Sequence, residues 1–507
     1  MAGTRRLSTR AFWGLASWAL PLAVIFVVSP KLLQILGGDS FGVLMLALVT
    51  PLIACQLELG IASTGVRAVA RILADGKVNA ATTLTTLMAA LTGVGLVLGA
   101  VVWFAAGPIA SWLGVEVVLG ASDATQLVRM CALWSTISLA TLTPGIVARA
   151  AQALVWIAAV QTISAICLWM GALLLLHAGH SLTDVIFLGI ALSVVSGLVT
   201  YIAIHRHVDW NGPFRLDERL LLHDKGFSGG MFAAQAAGAL VYNGDRMLVA
   251  ALGSAGMAGA YALCTNVANK SLAGVAALSS FVFPHASALL AKGQHSNTVT
   301  LVHGLDRAII VLLVPFILPG LFLAEPFLHL WLGNLVSPDL PAAFRVLLIA
   351  FAIPAFAVPV SHVLVASGRS ALAAKFAWLT AFVVLGTMLW LVPQYGLLGA
   401  AVAMLLGNAT SLVFSAIARR VFGITPAAER FKFWVGVAIG CAAQLAVLFW
   451  LGSEMRSWIT LIAVGAAAWT VFYASRAIIA LLSPEEQQLV RRMFVGSRKS
   501  MAPSKKG

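Results

Sequence analysis

Long apolar runs, separated by short polar breaks, fill the chain from about residue 11 to residue 481. A helix needs roughly 20 apolar residues to cross the hydrocarbon core of a bilayer. Fourteen stretches meet that need, at about 11–35, 41–64, 80–106, 124–146, 152–176, 182–204, 227–252, 256–283, 301–324, 341–366, 371–393, 397–418, 432–452 and 457–481. The pattern therefore predicts an all-α polytopic membrane protein of about 14 transmembrane helices. The weakest spans are the fourth, which carries Arg129, and the ninth, which is interrupted by Pro315 and Pro319.

The most polar stretch between the termini, HRHVDWNGPFRLDERLLLHDKG at 205–226, divides six spans from eight. It sets the expected organisation. An N-terminal lobe occupies 1–204, an inter-lobe loop 205–226, a second six-span lobe 227–420, and two further spans 421–482. In the remaining 483–507, Ser483, Pro484 and Glu486 form a capping box, which predicts an amphipathic surface helix followed by a basic tail. The halves are faintly alike. LGGDSFGVLMLAL (36–48) and LGSAGMAGAYAL (252–263) each place an LG turn before a helix that starts on glycine, and an offset of 217 aligns Gly42 with Gly259 and ILADGK (72–77) with LLAKGQ (289–294). Transporters are commonly built from two related bundles with the site between them.

Composition agrees with the pattern: 61% of the 507 residues are hydrophobic and 10% are charged, against about 25% charged in soluble domains. Charge adds the orientation, because Lys and Arg collect in cytoplasmic loops. With both termini in the cytoplasm, 26 of the 32 basic residues lie inside; Lys31, Arg129, Arg345 and Arg456 fall at outer ends, and Arg246 and Lys270 lie within spans. A pI near 10.1 does not point to nucleic acid, since the basic residues are spread over short loops without a recognition motif; they serve topology and attract anionic membrane lipids. The double arginine of RRLSTR precedes a span longer than a signal h-region and without a small-residue cleavage site, which predicts a retained first helix. Cys55, Cys131, Cys167, Cys264 and Cys441 fall singly in different spans and read as small apolar fillers. His362 reads as a satisfied core histidine. No glycine-rich phosphate loop with a lysine is present. No cofactor, metal or catalytic residue is expected, and the helices themselves must carry the function.

A charge at the bilayer centre costs about 2.5–3.5 kcal/mol even on lenient scales, so such residues face a bundle interior or a wet cavity. On the seventh span Gln235, Tyr242 and Arg246 fall within about 40° of one another at 100° per residue, beside the small Gly238 and Ala239. Asp245 lies to one side, so Asp245 and Arg246 are expected to answer to different neighbours. On the eighth span Asn266, Asn269 and Lys270 share a face with Ala262 and Ala273. Lys31 sits near the outer end of the first span, close enough to the surface to snorkel. Two cations, Arg246 and Lys270, facing a shared cavity suit an anionic substrate; the alternative is a set of interhelical hydrogen bonds. Glu58 and Asp245 are the only carboxylates well inside spans. They are candidates for ion coupling or gating, or for static salt bridges, such as Glu58 with Arg67 or Arg71.

The stretch LGGDSFGVLMLALVTPLIACQLELGIASTGVRAVAR, with Glu58-Leu59-Gly60-Ile61 and the following Arg67, resembles the second-helix signature of polysaccharide flippases. NGDRMLVAALGSAGMAGAYALCTNVANK followed by FVFPHASALLAKG resembles their seventh and eighth helices, and FLHLWLGN, VLVASGRSALAAK and YGLLGAAVA follow in the family's order. The chain is thus similar, over most of residues 10–420, to the O-antigen and exopolysaccharide flippases of the multidrug, oligosaccharidyl-lipid and polysaccharide exporter superfamily. Glu58 stands where that family usually has aspartate, which keeps the charge.

The resemblance implies a MATE-like fold of two six-helix lobes around a cation-lined cavity, with two additional helices. It implies a flippase of the bacterial inner membrane that carries a lipid-diphosphate-linked oligosaccharide from the cytoplasmic to the periplasmic leaflet, with Arg246, Lys270, Lys31, Gln235, Tyr242, Asn266, Asn269 and Arg67 toward substrate. Its partners would be that substrate, membrane lipids, and the polymerase and export machinery. One rival is a cation-coupled drug exporter of the same architecture, which would want an anionic cavity. Another is a membrane polysaccharide-modifying enzyme, but the longest outer loops, 107–123 and 324–340, are short and poor in candidate acids and bases.

Overall fold

The computed structural model describes residues 2–58, 60–62, 65–66, 68–70, 80–151, 153–205, 215–216, 225–279, 286, 289–290, 292–367, 369–424, 430–451, 455 and 457–478. The capping box at Ser483, the alignment of 72–77, most of loop 205–226 and Arg67 lie outside the described residues. Within them the chain is helical: α1 (Ala2–Gln56), α2 (Ala80–Phe104), α3 (Ala106–Trp112), α4 (Val115–Leu119), α5 (Ala121–Ala140), α6 (Leu142–Ala150), α7 (Leu154–His177), α8 (Leu182–His205), α9 (Lys225–Ala239), α10 (Asp245–Leu252), α11 (Ala255–Ser279), α12 (His295–Phe322), α13 (Ala324–Leu332), α14 (Leu340–Ala352), α15 (Val358–Ala366), α16 (Ser370–Val421), α17 (Arg430–Leu451) and α18 (Trp458–Ile478).

Ten helices among the described residues are long and apolar enough to cross a membrane. Two of them each hold two of the expected spans. α1 turns at Gly37 (φ 74°) and α16 at Gly396 (φ 54°), left-handed backbone that a side chain would disfavour. The seventh and eighth expected spans correspond to 225–252 and to α11, so the order is consistent with fourteen. Besides the second span, which unwinds after Gln56, three spans among the described residues are less regular than the apolar pattern implies. The fourth is divided between α5 and α6 at Thr141. The tenth passes through a 3-10 turn, Ile353–Ala357, that opens on Ile353-Pro354. The seventh contains a five-residue π-helical segment, Leu240–Gly244. The ninth, in contrast, runs as one helix, α12, through both of its prolines.

Packing groups the chain into two compact units, Met1–Leu263 with Ser370–Ala403, and Cys264–Arg369 with Met404–Gly507. In the first, Leu84, Leu87, Leu91, Leu139, Ile146 and Ile204 form a buried cluster with Ala54 and Ala62, on either side of Glu58 in sequence. In the second, Ile309 and Leu313 of α12 pack with Val275, Ala352 and Ala355. Large apolar side chains such as Phe104, Phe382, Phe449 and Trp450 are exposed, as expected of a surface solvated by lipid tails.

Candidate transport site

The seventh span sets the geometry of its charges through its π segment. A π turn closes i→i+5 and holds about one residue more than an α turn. Arg246, which follows it, is therefore rotated away from the line it would share with Gln235 in a regular helix. The face of Gln235, Tyr242 and Arg246 drawn at 100° per residue does not survive that extra residue, although all three side chains are half-buried. Asp245 starts α10 directly after the π segment and is 1% exposed. Its Oδ1 accepts the backbone N–H of Arg246 at 2.9 Å, and its carboxylate interacts with the Arg246 charge and with Tyr261 of α11. Arg246 in turn interacts with Asp245 and Tyr261. The expectation of separate neighbours is thus corrected: Asp245 and Arg246 act on each other, and fully buried Tyr261 joins them. Tyr261 is not among the residues the sequence singles out, because a tyrosine on an apolar helix carries no sign of which distant carboxylate it meets.

Glu58 lies where the second expected span unwinds. α1 ends at Gln56, and helix resumes at Ile61. The Glu58 side chain is 4% exposed, and its Oε2 accepts the N–H of Ala62 at 3.2 Å, satisfying one of the donors that a helix start leaves free. The described cation that acts on it is Arg149, at the last turn of α6, 91 residues away in sequence. In the sequence Arg149 reads as a loop cation only.

The remaining candidates are placed singly. Lys31 is exposed on the first limb of α1, in keeping with snorkelling. Asn266, Asn269 and Lys270 are half-buried on α11, in the second unit. His362 is half-buried on α15.

A further contact joins two segments that the sequence aligns with each other. Asp39, two residues after the Gly37 turn, accepts the N–H of Gly256 on its Oδ1 at 3.2 Å. Gly256 is in the first turn of α11, where backbone N–H groups are free and a carboxylate is favourable. Three residues on, Gly42 and Gly259 meet: a Cβ on Gly259 would sit 2.8 Å from the Gly42 Cα, and a Cβ on Gly42 would overlap the Ala255 carbonyl. Asp39 with Gly256 and Gly42 with Gly259 are both pairs at the offset of 217, so corresponding positions of the faint repeat face one another within the first unit.

These features belong to a helical membrane protein with buried charges at helix breaks, and solved structures share its fold. The chain is similar to the lipid II flippase MurJ in an inward closed conformation, with a TM-score of 0.71, 13% identity, and coverage of 92% of this chain and 98% of that one. It is similar to an inward-facing multidrug resistance MATE family transporter of the MOP superfamily, with a TM-score of 0.61, 12% identity and coverage of 80% and 94%. It is also similar to the Vibrio cholerae MATE transporter VcmN in the bent form, with a TM-score of 0.53, 17% identity and coverage of 83% and 98%. A search of curated proteins finds no match. The signature of a family described as polysaccharide biosynthesis protein matches residues 32–337, more than half of the chain. The protein belongs to that family, and it shares its fold with these flippase and transporter structures.

Proposed function

We propose that the chain is a flippase that moves a lipid-diphosphate-linked oligosaccharide from the inner to the outer leaflet of a bacterial inner membrane, for exopolysaccharide, O-antigen or capsule synthesis. Membership of the polysaccharide biosynthesis family carries the reading, and a fold shared with a protein named as a lipid II flippase supports it. Arg246 and Lys270 would meet the diphosphate or acidic sugars, with Gln235, Tyr242, Asn266, Asn269, Lys31 and Arg67 as further contacts. Asp245, tied to Arg246 and Tyr261, and Glu58, at a helix break, would couple movement to an ion or proton. The two six-helix lobes, 1–204 and 227–420, would surround the substrate, with the polymerase and export machinery as downstream partners. No step of bond chemistry is proposed for this chain.

The energetics permit this direction. A diphosphate carries at least two negative charges, and an inside-negative potential favours its outward movement by about 2.3 kcal/mol per charge per 100 mV. An ion gradient is then needed mainly to reset the empty carrier.

The test is reconstitution into liposomes holding a lipid-diphosphate oligosaccharide with a fluorescent sugar, under an imposed potential. Wild type should expose the probe to an external quencher, and Arg246→Ala should slow this about tenfold, the loss of one charge-assisted contact. Export of a cationic dye with no flipping of the labelled lipid would instead establish the multidrug-type exporter. Orientation has its own test: because 26 of 32 basic residues then lie inside, reporter fusions after residues 225 and 507 should both read cytoplasmic, and a periplasmic reading at either would overturn the topology.

A further inference from the structure

Two prolines in mid-span should leave α12 with two unsatisfied carbonyls. Proline has no N–H to donate to the carbonyl four residues earlier, so Pro315 frees the carbonyl of Val311, and Pro319 frees the carbonyl of Pro315. In hydrocarbon a freed carbonyl needs another donor. Both are supplied from outside the helix. Tyr473 of α18 donates its hydroxyl to the Val311 carbonyl at 2.9 Å, and Gln444 of α17 donates its amide N–H to the Pro315 carbonyl at 2.8 Å. Each freed carbonyl thus receives a donor from a different one of the two C-terminal helices.

The surrounding packing serves these bonds. Phe433 and Val437 of α17 pack with Ile310, with Cys441 against the same cluster, and Leu448, Leu461, Val464 and Ala468 pack with Leu323. The two C-terminal helices are close to each other, since a Cβ on Gly440 would sit 2.8 Å from the Phe472 ring, and Tyr473 is held edge-on to Trp469 with ring centres 4.7 Å apart. Gln444 is fully buried, and its amide oxygen has no partner among the described residues. A leucine would avoid that unsatisfied oxygen, so the donated hydrogen bond is the physical reason for an amide at this position.

We infer that Gln444 and Tyr473 are a proline lock. They replace the two missing helix bonds of the ninth span, keep its proline pair from acting as a hinge, and fasten α17 and α18 to α12 so that the three move as one body. The inference goes beyond the proposed function and holds whatever the substrate is. Gln444 and Tyr473 act through the α12 backbone and are positioning residues.

The test uses the full-length protein in liposomes and the native Cys441 as reporter, with N-ethylmaleimide labelling followed peptide by peptide in a mass spectrometer. Gln444→Leu should speed Cys441 labelling about tenfold, because it leaves a buried carbonyl without a donor. Pro319→Ala restores the internal N–H, so on that background Gln444→Leu should have no effect. Tyr473→Phe, which removes one oxygen atom, should behave in the same way against Pro315→Ala, and it decides the matter if Gln444→Leu does not accumulate. Unchanged labelling in these single variants would overturn the lock. So would equal increases with and without the prolines, which would mean that the side chains act by packing alone.

Discussion

Gly42→Ala is expected to lower flipping about tenfold or more, whereas Gly38→Ala, in the preceding turn, should leave it at the wild-type rate. A Cβ on Gly42 would overlap the Ala255 carbonyl and lie 2.9 Å from the Gly256 nitrogen, while a Cβ on Gly38 meets nothing within 4 Å. The obstacle at Gly42 is backbone, which cannot rotate aside as a side chain can. The second limb of α1 must therefore part from the start of α11, and the Asp39–Gly256 bond is stretched with it. A carrier that alternates between two states is shifted by the difference in cost between them, and about 1.4 kcal/mol is already a factor of ten. The substituted protein should collect in the state where these ends are separated, and hydrogen exchange at the Gly256 amide should quicken accordingly. Equal flipping by Gly38→Ala and Gly42→Ala would show that closing this contact is no part of the cycle.

Arg419→Met is expected to destabilise the second unit by about 2 kcal/mol, between what an exposed ion pair is worth and what removing one partner from a buried pair costs. The Arg419 guanidinium holds Asp306 of α12 through two bonds, Nη1 to Oδ2 at 2.6 Å and Nη2 to Oδ1 at 2.8 Å. The two side chains are only 21% and 14% exposed. Arg419 also donates through Nε to the Ser415 hydroxyl at 3.0 Å and through Nη2 to the Phe356 carbonyl at 3.5 Å. Without it the Asp306 carboxylate is left in a poorly solvated place. Asp306→Leu with Arg419→Met removes both charges and should recover most of the loss, since an apolar pair of similar volume avoids desolvation altogether. Thermal unfolding in detergent measures both. A double variant no more stable than Arg419→Met would show that the guanidinium is needed for packing or for its other bonds, not for neutralising Asp306.

The sequence by itself determined the class of protein and the positions of its spans. A bilayer imposes its length on every segment that crosses it, and that requirement is written locally, in unbroken apolar runs. The turns at Gly37 and Gly396 were legible for the same reason, because each falls in a break between two such runs. Family resemblance was legible in short motifs such as Glu58-Leu59-Gly60-Ile61. The pairing of buried groups was not.

Hydrophobicity says that a segment lies in the membrane but not which side faces which neighbour, and lipid-facing and protein-facing positions are equally apolar. Arg419 and Arg149 therefore read as two more loop cations, although one grips Asp306 across 113 residues of sequence and the other acts on Glu58. Helical spacing places Arg246 on a line with Gln235 only while the seventh span is taken as a regular helix. The π segment at Leu240–Gly244, which nothing in the residue types announces, turns it off that line, and Tyr261 of α11 acts on it as well as on Asp245. Pro315 and Pro319 make the ninth span look broken, because a chain read alone shows the missing N–H groups and not the donors. Gln444 and Tyr473 arrive from more than a hundred residues away, so only the tertiary structure could decide that the helix continues.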